Sequence, residues 1–251
     1  MSTAENKSYE LTPIAHLESC FKEKFGIPRQ PGLVKSSTAK ISFPLESRYV
    51  EAIHGLEGFS HIWLITLFHQ SIREDWKARI RPPRLGGNQS IGVFASRSPF
   101  RPNPLGLSAV RLDRIEKKNG RISLHLAEID LVDGTPIFDI KPYVAYSDAI
   151  TDSEAGYTEE RAWQQIPVQF SKNFDRAYQS YEKKYPNLKD LIEEIVNQDP
   201  RPAYKKKSMD KQNYAFKLYD FDVVWSVENA IAIIEKLRPA QKEITKDLND
   251  A

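Results

Sequence analysis

The stretch from Ser108 to Ile129 reads SAVRLDRIEKKNGRISLHLAEI, two strand-like runs separated by Asn119-Gly120. An Asn-Gly pair between two such runs favours a two-residue type I′ turn, in which both residues adopt positive φ. The stretch therefore predicts a β-hairpin with strands over 108–118 and 121–129.

More short strands are predicted on both sides of this hairpin. Strand-like runs occur at 9–17, 39–45, 59–69, 91–95 and 136–140, and a short helix is predicted over 49–56. Many short strands with few helices to cover two sheet faces favour a barrel or a sandwich over a doubly wound fold. We expect the N-terminal part of the chain to be mostly β.

The C-terminal third has a different pattern. A polar, acidic stretch precedes helical apolar spacing over 170–185 and 188–197, and strand-like runs follow at 214–218, 221–225 and 230–237. We expect a β domain over 1–147, a linker over 148–165, a small α+β domain over 166–240 and a polar tail over 241–251.

The composition limits the cellular compartments in which the protein is expected. One cysteine among 251 residues excludes an intrachain disulfide framework, and the five scattered histidines show no zinc-site spacing. The longest apolar run is far shorter than the roughly 20 residues that span a bilayer. The N-terminus also lacks the features of a signal peptide. These observations predict a cytoplasmic protein that is not embedded in a membrane.

Positive charge is concentrated in one segment, although the net charge is only +2. Between positions 79 and 111 the chain has six arginines and no lysine or acidic residue. Arginine suits bidentate capture of phosphate and stacking on bases. The alternative is a set of solvated or structural arginines.

Common nucleotide-binding motifs are absent from the sequence. No two glycines have Gly-x-Gly spacing, and no Walker A, H-E-x-x-H or G-x-S-x-G motif occurs. The sequence therefore argues against a Rossmann-type site.

Four segments combine proline with arginine, asparagine or aspartate: PRQPGLVK (28–35), RPPRLGGN (81–88), SRSPFRPNPLG (96–106) and DLVDGTPIFDIKPY (130–143). Proline fixes φ, and glycine lets a backbone approach a ligand, so these loops are predicted to be preorganised for binding. Tight connections between strands would explain the prolines but not the interleaved polar groups. His69-Gln70, where a strand is predicted to open into a loop, is a further site candidate.

These segments, together with GLEGFSHIWLI (55–65) and IGVF (91–94), closely resemble the TsaA-like (YaeB/TrmO) family of tRNA methyltransferases, in register over about 11–146. DPRPAY (199–204) and YAFKLYDFDV (214–223) resemble the accessory domain of its two-domain bacterial members. Ser96 and Leu105 are conservative departures from the family pattern.

The resemblance implies a homodimeric antiparallel β-barrel that uses S-adenosylmethionine without a Rossmann fold, followed by a small α+β domain. Its substrate would be the N6-threonylcarbamoyladenosine at position 37 of tRNA, beside the anticodon, and its product the N6-methyl derivative. No metal is needed, because the sulfonium already makes the methyl group electrophilic.

The resemblance also implies site residues. Those expected around the cofactor are Arg29, Gln30, Pro31, Gly32, Leu33, His69, Gln70, Arg97, Leu107, Asp130, Leu131, Val132 and Asp133. Positive charge and the aromatic ring of Tyr204, rather than the resemblance, indicate contacts with the anticodon loop, and an ordinary solvated lysine run is the alternative for the C-terminal stretch. The residues expected to make these contacts are Arg81, Arg84, Arg101, Lys141, Arg201, Tyr204 and Lys205.

Two residues are candidates for the methyl-transfer step. Asn103, between two prolines, would orient the acceptor nitrogen, and Asp133 is the rival that could take its proton. A turn-stabilising role is the alternative for both, and especially for Asp133, because Asp-Gly turns are common. The alternative functions are a non-catalytic RNA-binding barrel and a hydrolase or binding protein for small molecules or nucleotides.

Overall fold

The computed structural model describes residues 8–86, 89–159, 165–202, 205–206 and 211–240. Within these ranges, no helix is long and apolar enough to cross a bilayer. The N-terminal part contains β1 (Ala15–Ser19), β2 (Thr38–Pro44), α1 (Ser47–Ile53), β3 (His61–Leu67), β4 (Arg79–Ile80), β5 (Ile91–Gly92), β6 (Leu105–Lys118), β7 (Arg121–Ala127), β8 (Pro136–Pro142) and α2 (Ala145–Asp148).

Six of these strands form a closed antiparallel barrel in the order β1-β2-β7-β6-β3-β8. Alternate residues point inward, because successive side chains of a strand face opposite sides of the sheet. Ile41, Ile62, Leu64 and Ile122 are fully buried in the barrel core. Closure leaves no unpaired sheet edge, and the predicted barrel is confirmed.

The turn of the predicted hairpin is also confirmed. Asn119 and Gly120 both have positive φ, 53° and 68°, and Lys118 pairs with Arg121 across the turn. The strand predicted over 91–95 is wrong in part. Only Ile91–Gly92 pairs, with β4, and Val93–Ala95 forms a 3-10 turn.

The C-terminal part contains β9 (Val168–Phe170), α3 (Lys172–Gln179), α4 (Leu188–Asn197), β10 (Gln212–Leu218), β11 (Phe221–Glu228) and β12 (Ile231–Pro239). Its sheet has the order β10-β11-β12-β9, with β9 parallel to β12 and the other pairs antiparallel. Ser171 caps α3 by accepting a hydrogen bond from the backbone N–H of Phe174, and the Phe174 side chain is buried.

The two parts contact each other beside the first long loop of the barrel. Phe21 forms a β-bridge with Leu218, and the backbone N–H of Tyr219 donates to the carbonyl of Cys20 at 2.8 Å. The backbone N–H of Ser36 donates to the Glu194 carboxylate of α4 at 2.8 Å. The C-terminal domain therefore supports both ends of the loop that joins β1 to β2.

Candidate functional site

One end of the barrel gathers the loops that were singled out from the sequence. Strands β1 and β3 end there, and β6 and β8 begin there, because Leu67 pairs with Leu105 and His16 pairs with Pro136. The β1–β2 loop, the segment that leads into β6 and the β7–β8 connection therefore meet at this end. We call it the loop end of the barrel.

The β1–β2 loop contacts two of the other segments. The backbone N–H of Gly32, which has a φ of 80°, donates to the Glu128 carbonyl at 3.1 Å. The Arg97 guanidinium donates to the side-chain carbonyl of Gln30. Leu33 lines a cavity between this loop and α4, together with Gly26, Ile27, Pro28, Arg29, Val34, Ile195, Gln198 and Pro200.

Asp130 lies at the mouth of the barrel and is half-buried. The Ser108 hydroxyl of β6 donates to its carboxylate at 2.7 Å. Burial raises the pKa of Asp130 to about 6, and the Ser108 hydrogen bond and the positive charge of Arg97 oppose that rise. No lysine or arginine of the described ranges forms an ion pair with Asp130.

Asp133, by contrast, holds the end of β1. One of its carboxylate oxygens accepts a hydrogen bond from the backbone N–H of Ser19 at 2.7 Å, and the other lies 3.0 Å from the Lys22 ammonium. The backbone N–H groups of Asp133 and Gly134 donate to the carbonyls of Phe21 and Leu17. These contacts give Asp133 the turn-stabilising role that was the alternative to proton acceptance.

The segment carrying Asn103 is fixed to the end of β3. The backbone N–H of Phe68 donates to the carbonyl of Pro104 at 2.8 Å, and the Asn103 side chain is exposed. His69 follows Phe68, so the sequence-predicted pair His69-Gln70 adjoins Asn103. The Nδ1 atom of His69 is buried and has no hydrogen-bond partner in the described part of the chain, and burial lowers the pKa of His69. The Gln70 carbonyl accepts from Lys24.

Leu107, Leu131 and Val132 differ in exposure. Leu107 is 59% exposed on the outer face of β6, opposite to the buried Ser108 beside it. Leu131 is buried, and the Val132 carbonyl accepts from the Thr135 hydroxyl at 2.6 Å. Leu107 is thus available to a ligand or a partner, whereas Leu131 belongs to the core.

Two arginine loops lie near the β1–β2 loop. Arg84, in the 3-10 turn Pro83–Leu85, is close enough to Arg29 for its charge to lower the pKa of Arg29, where burial is the larger cause. Arg81 is exposed, and Arg101 donates to the carbonyl of Ser96 at 3.3 Å. Gly87 and Asn88 of the RPPRLGGN segment lie outside the described residues.

Lys141 does not join this group. It lies on β8 opposite Trp63, toward the other end of the barrel, and pairs with Asp139 at 2.9 Å. The structure thus places Lys141 apart from the arginine loops, and its expected contact with tRNA stays a prediction. The alternation of polar and apolar residues in a strand indicates which face a lysine lies on, but not which end of the barrel it is near.

Arg201 is buried rather than available to RNA. Its guanidinium binds the carboxylate of Asp199 through two hydrogen bonds of 2.7 and 3.1 Å, and its side chain is 8% exposed. Lys206 also pairs with Asp199, at 3.0 Å. The charge of Arg201 is used within the domain, so a contact with RNA would require this ion pair to break. Lys205 is half-buried, and Tyr204 lies outside the described residues.

The loop end has groups that fit S-adenosylmethionine. Arg97 suits the carboxylate of an amino acid, and Asp130 is a half-buried carboxylate for which the described residues provide no ion pair. The buried Nδ1 of His69 is a polar atom that still needs a partner. Within the described ranges, no three His, Cys, Asp or Glu side chains form a group that could hold a metal ion.

Ser108 was not identified as a site residue from the sequence. It sits within a strand where a small polar side chain is unremarkable, and only its partner Asp130, 22 residues later, shows its role.

Comparison with known families matches both parts of the chain. The tRNA-methyltransferase O N-terminal domain matches residues 16–149, and the TrmO C-terminal domain matches residues 163–240.

Individual relatives agree with this match. The tRNA (adenine(37)-N6)-methyltransferase of Escherichia coli K12 is 41% identical over 232 residues, covering 92% of this chain and 99% of that protein. A Pseudomonas aeruginosa protein, whose name describes a methyltransferase dependent on S-adenosylmethionine, is 43% identical over 219 residues, covering 87% of this chain and 92% of that one. The crystal structure of TrmO from P. aeruginosa superimposes with a TM-score of 0.74 at 35% identity, covering 94% of this chain and 100% of that one.

Proposed function

Because the chain belongs to the tRNA-methyltransferase O family, we propose that it transfers a methyl group from S-adenosylmethionine to N6 of the adenosine at position 37 of tRNA. The substrate form is N6-threonylcarbamoyladenosine, and the product is its N6-methyl derivative. The observation that carries this proposal is the convergence of the polar loops at one end of the barrel.

The cofactor is assigned to the loop end, between the β1–β2 loop and the segment that leads into β6. Arg97 and Gln30, which already contact each other, face the amino-acid group of the cofactor. Leu33 and Leu107 supply apolar contact for the adenine ring. When bound, S-adenosylmethionine provides an electrophilic methyl group, so the protein needs to orient the acceptor and accept a proton.

Asn103 is assigned to orient the acceptor nitrogen. Its backbone is held by the neighbouring Pro104, whose carbonyl accepts from Phe68, and its exposed side chain can accept the N6 hydrogen. Pro102 and Pro104 restrict the backbone on both sides, which keeps the amide in place without a large entropic loss on binding.

RNA is assigned to the arginine side of the loop end. Arg81, Arg84 and Arg101 lie in loops without acidic residues, and Lys205 is a further cation, on the C-terminal domain. The anticodon loop offers phosphates for these side chains. Such a substrate places the enzyme in the cytoplasm.

A homodimer is proposed from the exposed apolar side chains around the loop end. Trp76, Phe94, Leu105 and Leu107 are 47%, 72%, 42% and 59% exposed. Large apolar side chains grouped on a surface mark binding sites. A second copy covering them would bring its own loops close to the first site.

Calorimetry with S-adenosylmethionine, followed by mass analysis of tRNA nucleosides, tests this function. The proposal predicts saturable cofactor binding and appearance of the N6-methyl nucleoside. A barrel that binds tRNA but not the cofactor would instead be the non-catalytic RNA-binding protein. Conversion of nucleotides without methylation would indicate the hydrolase.

A further inference from the structure

Methyl transfer to N6 requires a group that receives the N6 proton, and the described part of the loop end contains few candidates. The carboxylate of Asp133 is neutralised by Lys22 and by the backbone N–H of Ser19. The carboxylate of Glu128 lies 3.6 Å from the Arg111 guanidinium. Charge partners of this kind stabilise the ionised form and make a carboxylate a weaker base.

Asp130 differs from both of these acids. Among the other described residues, the neutral Ser108 hydroxyl donates a hydrogen bond to the Asp130 carboxylate. The charge of Arg97 also acts on Asp130, but the Arg97 guanidinium donates its hydrogen bond to Gln30. A half-buried carboxylate without an ion pair is more basic than an exposed one, because burial disfavours its charged form. Such a group suits general base catalysis near neutral pH.

From this geometry we propose that Asp130 is the catalytic residue that accepts the proton, with Ser108 as the positioning residue that holds its carboxylate. This inference rests on the proposed methyl transfer. The acceptor nitrogen forms a bond to the methyl carbon as the bond from that carbon to sulfur breaks. Sulfur keeps the electron pair, the N6 proton moves to Asp130, and Asp130 later releases it to water.

The pKa of Asp130 supports its assignment as the proton acceptor. Burial raises its pKa to about 6, so the carboxylate is mostly ionised at neutral pH and yet more basic than an ordinary aspartate. The Ser108 hydroxyl works against this rise because it stabilises the ionised form. Removing that hydroxyl is therefore expected to raise the pKa further, whereas a purely structural serine would leave the titration unchanged.

His69 is the rival proton acceptor, because it adjoins Asn103 and has a buried nitrogen without a described partner. Burial is the main cause that lowers the pKa of His69, and the charges of His16 and Lys24 lower it further. A rate that rises as the pH increases would fit deprotonation of either residue, so the effect of Ser108 on the position of that rise distinguishes them. Ser108 bonds Asp130 and has no described contact with His69.

The first test is a carbon NMR titration of the ligand-free chain, in wild type, Asp130→Asn and Ser108→Ala. The expected result is one carboxyl that titrates at about pH 6, is missing in Asp130→Asn and moves to higher pH in Ser108→Ala. An Asp130 carboxyl with the ordinary pKa of an aspartate, or one that is unmoved in Ser108→Ala, would overturn the assignment.

The second test is single-turnover methyl transfer as a function of pH, with S-adenosylhomocysteine affinity measured on the same variants. We expect Asp130→Asn to reduce the rate about 10²- to 10⁴-fold, the usual contribution of a general base, while the chain stays folded and keeps product affinity within a few-fold. Ser108→Ala should move the pH profile upward and recover at high pH. Asp113→Asn, on the outer face of β6, is the matched control and should behave as wild type.

The outcomes separate this inference from the proposed function. A wild-type chain that methylates tRNA while Asp130→Asn retains its rate and pH profile overturns only the inference. A profile that moves in His69→Gln and not in Ser108→Ala assigns the proton to His69. A wild-type chain that transfers no methyl group overturns the proposed function as well.

Discussion

The carboxylate of Asp133 accepts a 2.7 Å hydrogen bond from the backbone N–H of Ser19, 114 residues earlier in the chain. This contact joins the β7–β8 connection to the end of β1, and Ser19 is 3% exposed. A buried N–H that loses its acceptor is costly because no water replaces it.

Asp133→Ala is therefore expected to lower the free energy of unfolding by about 1–3 kcal/mol, the cost of an unsatisfied buried donor. Lys22→Ala removes only a partly exposed ion pair and should cost about 1 kcal/mol or less. Urea unfolding of the two variants measures the difference. Equal stability of Asp133→Ala and wild type would show that the contact contributes nothing.

Any side chain at position 106, at the start of β6, is expected to destabilise the fold. A Cβ at this position would overlap the Thr66 hydroxyl oxygen and lie 3.0 Å from the Phe68 ring. Gly106→Ala should therefore lower the free energy of unfolding by about 1–3 kcal/mol through overpacking. Gly92→Ala is the control, because a Cβ there meets nothing within 4 Å and the φ of Gly92 is −63°.

Thr66→Ala removes the oxygen that a side chain at position 106 would meet first. The double variant Gly106→Ala, Thr66→Ala should consequently lose less stability than the sum of the two single variants. Strict additivity would mean that the overpacking arises elsewhere.

Arg81→Ala is expected to weaken tRNA binding without changing cofactor affinity. If Arg81 neutralises one phosphate, the slope of log affinity against log salt should fall in magnitude by about 0.7–0.9. Arg48, an exposed arginine in the first turn of α1 and away from the loop end, provides the matched control variant Arg48→Ala. Salt titrations of tRNA binding decide the point, and loss of cofactor binding in Arg81→Ala would assign this loop to the cofactor.

Arg201→Ala is expected to act on stability rather than on RNA. Burial alone would raise the pKa of Asp199, but the hydrogen bonds from Arg201 and Lys206 lower it. Removing Arg201 should cost up to about 3 kcal/mol at neutral pH, since a buried carboxylate keeps one partner instead of two. This loss should shrink as the pH falls through the pKa of Asp199, because protonation ends the ion pair in both chains.

Lys205→Ala is the companion variant to Arg201→Ala. It should leave the unfolding transition unchanged and reduce the salt dependence of tRNA binding. If Arg201→Ala is as stable as wild type but binds tRNA weakly, Arg201 contacts RNA and the stability role is wrong.

Local sequence signals were sufficient to predict the hairpin and its turn. Asn119-Gly120 specifies its turn because only residues that tolerate positive φ fit both turn positions. The prolines and glycines of the loops likewise act within a few residues. Strand β9, only three residues long and parallel to β12, was missed because so short a run has no measurable periodicity.

The roles of charged residues were harder to predict, because they depend on contacts that distant or specially folded segments provide. The sequence suggested that Arg201 could contact RNA, but in the structure its guanidinium binds the carboxylate of Asp199, whose φ is 47°. Asp133 and Asp130 lie three residues apart in one motif. Only the tertiary structure shows that Asp133 has a cation partner while Asp130 has a serine.

The most direct measurement is the transfer of an isotope-labelled methyl group from S-adenosylmethionine to tRNA that carries N6-threonylcarbamoyladenosine. The tRNA is then cut into fragments, and each fragment is weighed by mass spectrometry. We predict one labelled methyl group per tRNA, located on the nucleoside at position 37, and none on tRNA with an unmodified adenosine there. Label at another nucleotide, or tRNA that binds the protein and stays unlabelled, would contradict the proposed function.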